Sequence, residues 1–142
     1  MVGQNNLKKY LQELVSNNKL PRFILVCGER GSEVNLIAPY IADLMGIVCV
    51  ELSDVKVDTM RKMISQAYSV KSPVIYSIAD ADTMSANARN AILKVVEEPP
   101  NKAYFVMSVE NVQGVMDTIL SRAFEIHMEP YSKDDLREYY RS

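Results

Sequence analysis

The chain alternates short apolar runs with longer segments of helical periodicity, and this alternation limits the folds it can adopt. Apolar runs predict five strands, at residues 22–28, 47–52, 74–79, 103–109 and 123–128. Because these mainly apolar runs are interpreted as not alternating in polarity, they indicate a sheet buried on both faces. Helical segments between consecutive strands indicate parallel crossovers. We therefore predict an α/β fold, a three-layer α/β/α sandwich with a mostly parallel five-stranded sheet.

The segments between the strands predict the helices and their ends. Apolar residues at three- and four-residue spacing predict helices at 7–15, 34–44, 54–70 and 85–98. The fourth of these should stop at Pro99-Pro100, because proline lacks the amide donor that a helix needs. A short helix is predicted to end at Leu120, and a last helix to begin near Ser132, whose hydroxyl is a predicted N-cap.

Composition predicts a single soluble domain over residues 1–142. Apolar residues make up 48% of the chain and charged residues 24%, as in globular proteins. No apolar run reaches the length of a membrane span and no signal peptide is evident, so we expect a cytoplasmic protein without membrane contact. The net charge of -2 gives no bulk attraction to nucleic acid, so contact with DNA would need a local patch or partner chains.

The cysteines and the histidine do not predict a reactive site. Cys27 and Cys49 lie in strand-like runs and are interpreted as reduced core residues. There is neither a CxxC motif nor a Cys/His cluster, so we expect no metal site. His127 has no evident catalytic partner, and a structural or surface role is predicted for it.

The turn after the first predicted strand lies where phosphate-binding loops of nucleotide hydrolases lie. Counted from Gly28, the pattern G-x-x-x-x-G-K-[ST] requires glycine, lysine and a hydroxyl residue where this chain has Glu33, Val34 and Asn35. No lysine occurs between residues 20 and 55, so a shifted register does not restore the site. Glu33 would place a carboxylate at a helix N-terminus, stabilising that end and repelling a triphosphate.

Two interpretations of this loop stay open on its sequence alone. The first is an ordinary strand–turn–helix connection, with Ser32 as the helix cap and Gly31 in the turn. The second is a phosphate-binding loop, formed by Gly28, Gly31, Ser32 and Glu33, that has lost its function.

The second half of the chain carries motifs that occur in the expected order. Asn90-Ala91-Ile92-Leu93-Lys94-x-x-Glu97-Glu98-Pro99-Pro100 is followed by Thr118-Ile119-Leu120-Ser121-Arg122, and Val2-Gly3-Gln4 opens the chain. With these motifs the chain resembles the clamp-loader branch of the AAA+ ATPases, and within it the δ′ subunits of bacterial DNA polymerase III. The resemblance implies a P-loop NTPase-like AAA+ domain over 1–142, with the family's lid and collar domains absent from this chain.

The chain also departs from the family's pattern at the hydrolytic positions. The acidic pair of the Walker B motif corresponds to Ala79 and Asp80, so the magnesium-binding aspartate is missing. The family's four-cysteine zinc module is absent, and Ala123 replaces the cysteine that follows the serine–arginine motif. These losses imply a divergent, non-hydrolysing member that needs no cofactor and no metal.

The resemblance implies a role for Arg122, which follows Ser121 in the serine–arginine motif. In the family this arginine reaches the γ-phosphate of ATP bound to a neighbouring subunit, and a guanidinium suits a transferring phosphoryl group. An inactive subunit can thereby complete the active site of its neighbour. The alternative is a surface arginine that pairs with Glu125 or another acid.

Other positions carry weaker expectations. The resemblance implies that Lys94 faces DNA, where it would add a sequence-independent phosphate contact. The alternative is a solvated lysine on a helix that ends in the exposed pair Glu97-Glu98. Ser108 and Asn111 lie near the family's first sensor position, and a structural role is predicted for both.

The sequence therefore predicts a non-hydrolysing clamp-loader subunit that works in a hetero-oligomer. Its expected partners are other clamp-loader subunits, the sliding clamp indirectly, and primed DNA weakly or through the complex. One alternative is a residual nucleotide binder or weak ATPase. The other is a protein-interaction module that has been adapted from the same fold.

Overall fold

A computed structural model gives the structure of the chain and describes residues 5–28, 33–115 and 117–128. Three sets of sequence predictions lie outside these ranges. They are the Val2-Gly3-Gln4 motif, the turn with Gly31 and Ser32, and the last helix from Ser132.

Five parallel strands form one sheet, in the order β2-β3-β4-β1-β5. β4 is the central strand and pairs with β1 on one side and β3 on the other. The predicted α/β class and parallel sheet are confirmed. The bounds of the strands are Phe23–Gly28 (β1), Val48–Glu51 (β2), Val74–Ile78 (β3), Ala103–Val109 (β4) and Phe124–Met128 (β5).

The helices are α1 (Asn5–Ser16), α2 (Ile37–Met45), α3 (Val57–Ser69), α4 (Ala86–Glu97) and α5 (Asp117–Arg122). Short 3-10 helices occupy Val34–Leu36, Ala81–Thr83 and Val112–Gly114. Several predicted boundaries were wrong. The helix predicted from residue 54 begins only at Val57. The helix predicted from residue 34 begins as a 3-10 turn, because the amide of Leu36 bonds to the Glu33 carbonyl at 3.0 Å. The short helix predicted to end at Leu120 continues to Arg122.

Local chemistry explains two of the helix ends. The Ser85 hydroxyl accepts a hydrogen bond from the amide of Ala88 at 3.2 Å and caps the start of α4. Gly46 follows α2 with a φ of 68°, a left-handed conformation that glycine adopts without steric cost.

Two hydrophobic clusters lie on the two faces of the sheet, as a three-layer sandwich requires. One contains Phe105 and Tyr76 from the sheet together with buried residues of α3, α4 and α5. The other contains Ile24 and Val106 from the sheet with buried residues of α1 and α2. No helix in the described ranges is long and apolar enough to cross a membrane.

The expectation that the whole sheet is buried on both faces was wrong for its two outer strands. β2 and β5 are the outer strands and expose part of their surface, with Val48 on β2 65% exposed. Cys27 and Cys49 are free, as predicted for reduced thiols, and pack against the two clusters, but they are only partly buried. Desolvation, followed by the charges of Glu51 and Asp43, raises the pKa of the Cys49 thiol.

Candidate functional site

The carboxyl ends of parallel strands meet at one edge of a sheet, and ligands of open α/β folds bind there. Gly28 is the last residue of β1, and Ala79 and Asp80 directly follow β3. Of the predicted loop residues, Gly28 and Glu33 are described, whereas Gly31 and Ser32 lie outside the described ranges. The 3-10 helix that follows Glu33 contacts both β1 and β4.

A hydrogen bond joins two polar residues at this edge. The hydroxyl of Ser108, on β4, donates to Oδ1 of Asn35 at 2.7 Å. Ser108 is buried, so Asn35 satisfies a polar group that would otherwise be costly to bury. Asn111 has a local role, because its side chain accepts from the amide of Gln113 at 2.9 Å and caps a 3-10 helix. These contacts agree with the structural role predicted for Ser108 and Asn111.

We expect Ser108→Ala to lower the free energy of unfolding by about 1 kcal/mol, the net value of one hydrogen bond. Asn35→Ala should cost a similar amount, and the double variant should cost less than the sum because both changes remove the same bond. Urea denaturation of the four proteins measures this coupling. Additive effects would mean that the Ser108–Asn35 bond contributes nothing to stability.

Glu33 stands at the position predicted for it, before the helix, but it does not cap the helix with its side chain. Its backbone is at the N-cap position and no side-chain capping bond forms. Its Oε2 atom is buried and has no hydrogen-bond partner among the residues that the structure describes. The part of the prediction that survives is the position: a carboxylate lies directly before Val34, which stands where the phosphate-binding pattern has its lysine.

The turn after β3 presents little that could hold a metal ion. The side chain of Ala79 has no ligand atom, and Asp80 adopts a left-handed conformation with a φ of 54°. The Asp80 carbonyl accepts from the Thr83 hydroxyl at 2.7 Å, and the Asp82 carboxylate accepts from the Glu110 amide at 3.3 Å. Within the described ranges, no three His, Cys, Asp or Glu residues lie close enough together to form a metal site.

Arg122 lies at the opposite end of the strands from Gly28, Ala79 and Asp80. It is the last residue of α5, and β5 begins two residues later, so Arg122 is near the amino end of the parallel strands. A strand of five residues separates the two edges by about 16 Å. Ser121 and Arg122 are both exposed, and both side chains contact the carbonyl of Thr118, at 3.0 and 3.4 Å.

The alternative prediction for Arg122 was a surface arginine that pairs with Glu125 or another acid. Arg122 is exposed, but Glu125 is not its partner. Glu125 contacts His127 instead, with Oε2 and Nε2 3.1 Å apart. Among the described residues, Arg122 forms no ion pair. His127 is exposed on the edge strand β5, which confirms the predicted surface role.

Lys94 lies in an open groove between α3 and α4, with a volume of about 540 Å³. Arg61, Tyr68 and Asn90 line the same groove. The ammonium of Lys94 is 4.8 Å from the centroid of the Tyr68 ring. Sequence analysis missed Arg61 and Tyr68. Their spacing of seven residues, two turns of one helix face, was the available signal.

The carboxylates predicted at the end of α4 are exposed, as expected. Glu97 is the last residue of the helix and Glu98 its C-cap. Neither forms an ion pair with Lys94 within the described part of the chain. Lys94 is exposed on this helix, so the alternative of a solvated lysine stays open.

Comparison with known proteins identifies the relatives of this chain. The family model described as DNA polymerase III, delta subunit, matches residues 50–132. The γ subunit of DNA polymerase III from Buchnera aphidicola subsp. Acyrthosiphon pisum (strain APS) is 23% identical over 171 aligned positions, covering 99% of this chain and 47% of that protein. The δ′ subunit from Bacillus subtilis (strain 168) is 41% identical over 56 residues, covering 39% of this chain and 17% of that protein.

Solved structures share the fold. A DNA polymerase III γ-subunit-related protein from Thermotoga maritima superimposes with a TM-score of 0.71 at 17% identity, covering 92% of this chain and 48% of that one. The RuvB Holliday junction branch migration motor from the same organism gives a TM-score of 0.77 at 15% identity, covering 96% and 49%. The chain spans about half the length of the γ-subunit relatives that it matches. Because the family model matches more than half of its residues, the chain belongs to the DNA polymerase III delta subunit family, among the clamp-loader proteins of DNA replication.

Proposed function

We propose that this chain is a non-hydrolysing, δ′-like subunit of a clamp loader. It contributes contacts to neighbouring subunits and a trans-acting arginine, Arg122, to a neighbouring ATPase. Through the assembled complex it helps to load the sliding clamp onto primed DNA. The proposal extends to the whole of residues 1–142 as one AAA+ domain.

The single observation that carries the non-hydrolysing role is the chemistry at the carboxyl edge of the sheet. Ala79 stands at the position of the magnesium-binding aspartate and offers no ligand atom. Asn35 stands at the position of the magnesium-binding hydroxyl and is bonded to Ser108 at 2.7 Å. A nucleotide at this end of the strands would meet Val34 in place of the lysine that neutralises β- and γ-phosphates, with the Glu33 carboxylate next to it.

The location of Arg122 supports action on a neighbouring subunit rather than on this chain. The strands are about 16 Å long and separate Arg122 from the loop that follows β1. The Arg122 side chain therefore does not serve a nucleotide at that loop. The guanidinium is exposed, and its contact with the Thr118 carbonyl is long at 3.4 Å. Such a side chain is available to a phosphate presented by another protein.

We propose in addition that Lys94 contacts the DNA backbone. Its ammonium lies in the α3–α4 groove with the guanidinium-bearing Arg61, so two cations border one open surface. Local charge of this kind can bind phosphates although the net charge of the chain is -2. The contact would be independent of sequence and would weaken with salt.

The ATP-binding behaviour of the chain tests the non-hydrolysing role. We expect no saturable binding of Mg-ATP up to millimolar concentration, since the lysine and the magnesium ligands are absent. Isothermal titration calorimetry measures it, with an ATP-hydrolysing loader subunit from the same organism as the positive control. Saturable binding below about millimolar Kd would favour the alternative, a residual nucleotide binder or weak ATPase.

Assembly tests the clamp-loader role itself. Mixed with the ATP-hydrolysing loader subunits of its organism, the chain should co-elute with them in size-exclusion chromatography. Failure to associate with either those subunits or the clamp would favour the other alternative, an interaction module with a different partner.

A further inference from the structure

The ammonium of Lys94 is held by an aromatic ring. Its Nζ lies 4.8 Å from the centroid of the Tyr68 ring, a distance at which a cation is attracted by the ring face. Glu97 and Glu98 follow on the same helix, yet Lys94 pairs with neither among the described residues. The ring is therefore the group that restrains this ammonium.

The hydroxyl of Tyr68 anchors the ring to the backbone of α4. Its hydroxyl donates to the Glu98 carbonyl at 2.5 Å and lies 3.4 Å from the Lys94 carbonyl. Burial, followed by the charge of Glu98, raises the pKa of Tyr68, so the hydroxyl remains a donor at neutral pH. These bonds tie the end of α3 to the end of α4 and fix the ring beside the lysine stem.

The restrained ammonium remains accessible. Lys94 is exposed and Tyr68 is 41% exposed, in a groove that is open to solvent. A ring covers one side of an ammonium and leaves the N–H groups on its other side free to donate. Lysine has a long flexible stem and loses rotamer freedom when it binds, so a side chain that is already restrained loses less.

We propose that Tyr68 is a positioning residue that holds the Lys94 ammonium ready for a phosphate of the nucleic-acid backbone. The inference rests on the proposed function, in which Lys94 contacts DNA. It adds that the affinity of this contact depends on an aromatic ring of the neighbouring helix. Arg61 borders the same groove without such a ring contact among the described residues, and it serves as the matched cation.

A double-mutant cycle tests the proposal in the assembled loader, titrated with primed DNA at several salt concentrations. Lys94→Ala should make the negative slope of log K against log salt shallower by about 0.9, the value for one lost phosphate contact with duplex DNA. Tyr68→Leu should weaken binding about two- to fivefold with an unchanged slope, because the charge remains but is no longer restrained. The double variant should bind as Lys94→Ala does.

Two controls separate positioning from structure. Tyr68→Phe keeps the ring and loses the hydroxyl, and it should restore most of the affinity that Tyr68→Leu loses. Tyr68→Leu and Arg61→Ala should combine additively. In the free chain, ring currents should move the Lys94 Hε signals upfield in the wild type and Tyr68→Phe but not in Tyr68→Leu.

The outcomes distinguish this inference from the function on which it rests. If Lys94→Ala weakens binding while Tyr68→Leu does not, or if their effects add, the positioning role is wrong and the DNA contact stands. If Lys94→Ala changes neither affinity nor slope, or if no loader assembles, the DNA contact is wrong and the positioning role with it.

Discussion

Replacing Arg122 by alanine is expected to abolish most ATP hydrolysis at the one neighbouring site that this residue serves. A trans-acting arginine contributes about 10³- to 10⁵-fold to phosphoryl transfer, because its charge stabilises the transition state. The other ATPase sites of the loader keep working, so total DNA-stimulated turnover should fall severalfold. Steady-state ATP hydrolysis of the reconstituted loader, with clamp and primed DNA, measures the effect.

Two variants make the Arg122 result specific. Arg122→Lys keeps the charge but loses the planar fork of donors, and should recover only part of the activity. Lys9→Ala removes an exposed cation from α1 and should leave turnover unchanged. Assembly of each complex is checked by size-exclusion chromatography. Unchanged turnover in a fully assembled Arg122→Ala loader would contradict the trans-acting role and leave the chain as a scaffold.

The fold could be predicted from the sequence because each apolar run and each helical segment carries its own periodicity. The errors lie where tertiary position decides. The sequence 47–52 is as apolar as a central strand, yet β2 is an outer strand, and Val48 is exposed. Strand order is a property of the whole sheet, so the residues of one strand do not encode whether that strand will be central or outer.

The residues of the candidate site also fall into two groups, those that linear motifs predict and those that only tertiary contacts bring together. Ala79 and Arg122 were found from motifs with fixed spacing, which a linear sequence displays directly. The bond between Asn35 and Ser108 joins residues 73 positions apart, and the contact between Tyr68 and Lys94 joins residues on different helices. No local pattern reports such pairs. The pairing of Glu125 with His127 is different, because residues two apart on one strand share a face and the predicted strand already placed them together.

Phe105→Ala is expected to have the largest effect on stability, with a loss of about 3–5 kcal/mol in the free energy of unfolding. Phe105 is fully buried on the central strand β4, where it lies opposite Phe23 on β1 and Tyr76 on β3. Its ring stacks with both of theirs, with centroids 6.0 and 5.5 Å away. Truncation therefore removes two aromatic contacts and leaves a cavity where three strands meet.

Urea denaturation measures the loss as a lower midpoint at an unchanged m-value. Val48→Ala, at an exposed position of the outer strand β2, is the matched control and should change stability by less than about 0.5 kcal/mol. If Phe105→Ala does not fold, Phe105→Leu is the second variant, because leucine fills part of the cavity. Its loss in the free energy of unfolding should lie between the values expected for Val48→Ala and Phe105→Ala. Because β4 connects β1 to β3, this loss weakens the platform from which Arg122 projects. A shift below about 1 kcal/mol would show that the stacked rings are not what holds the central strands together.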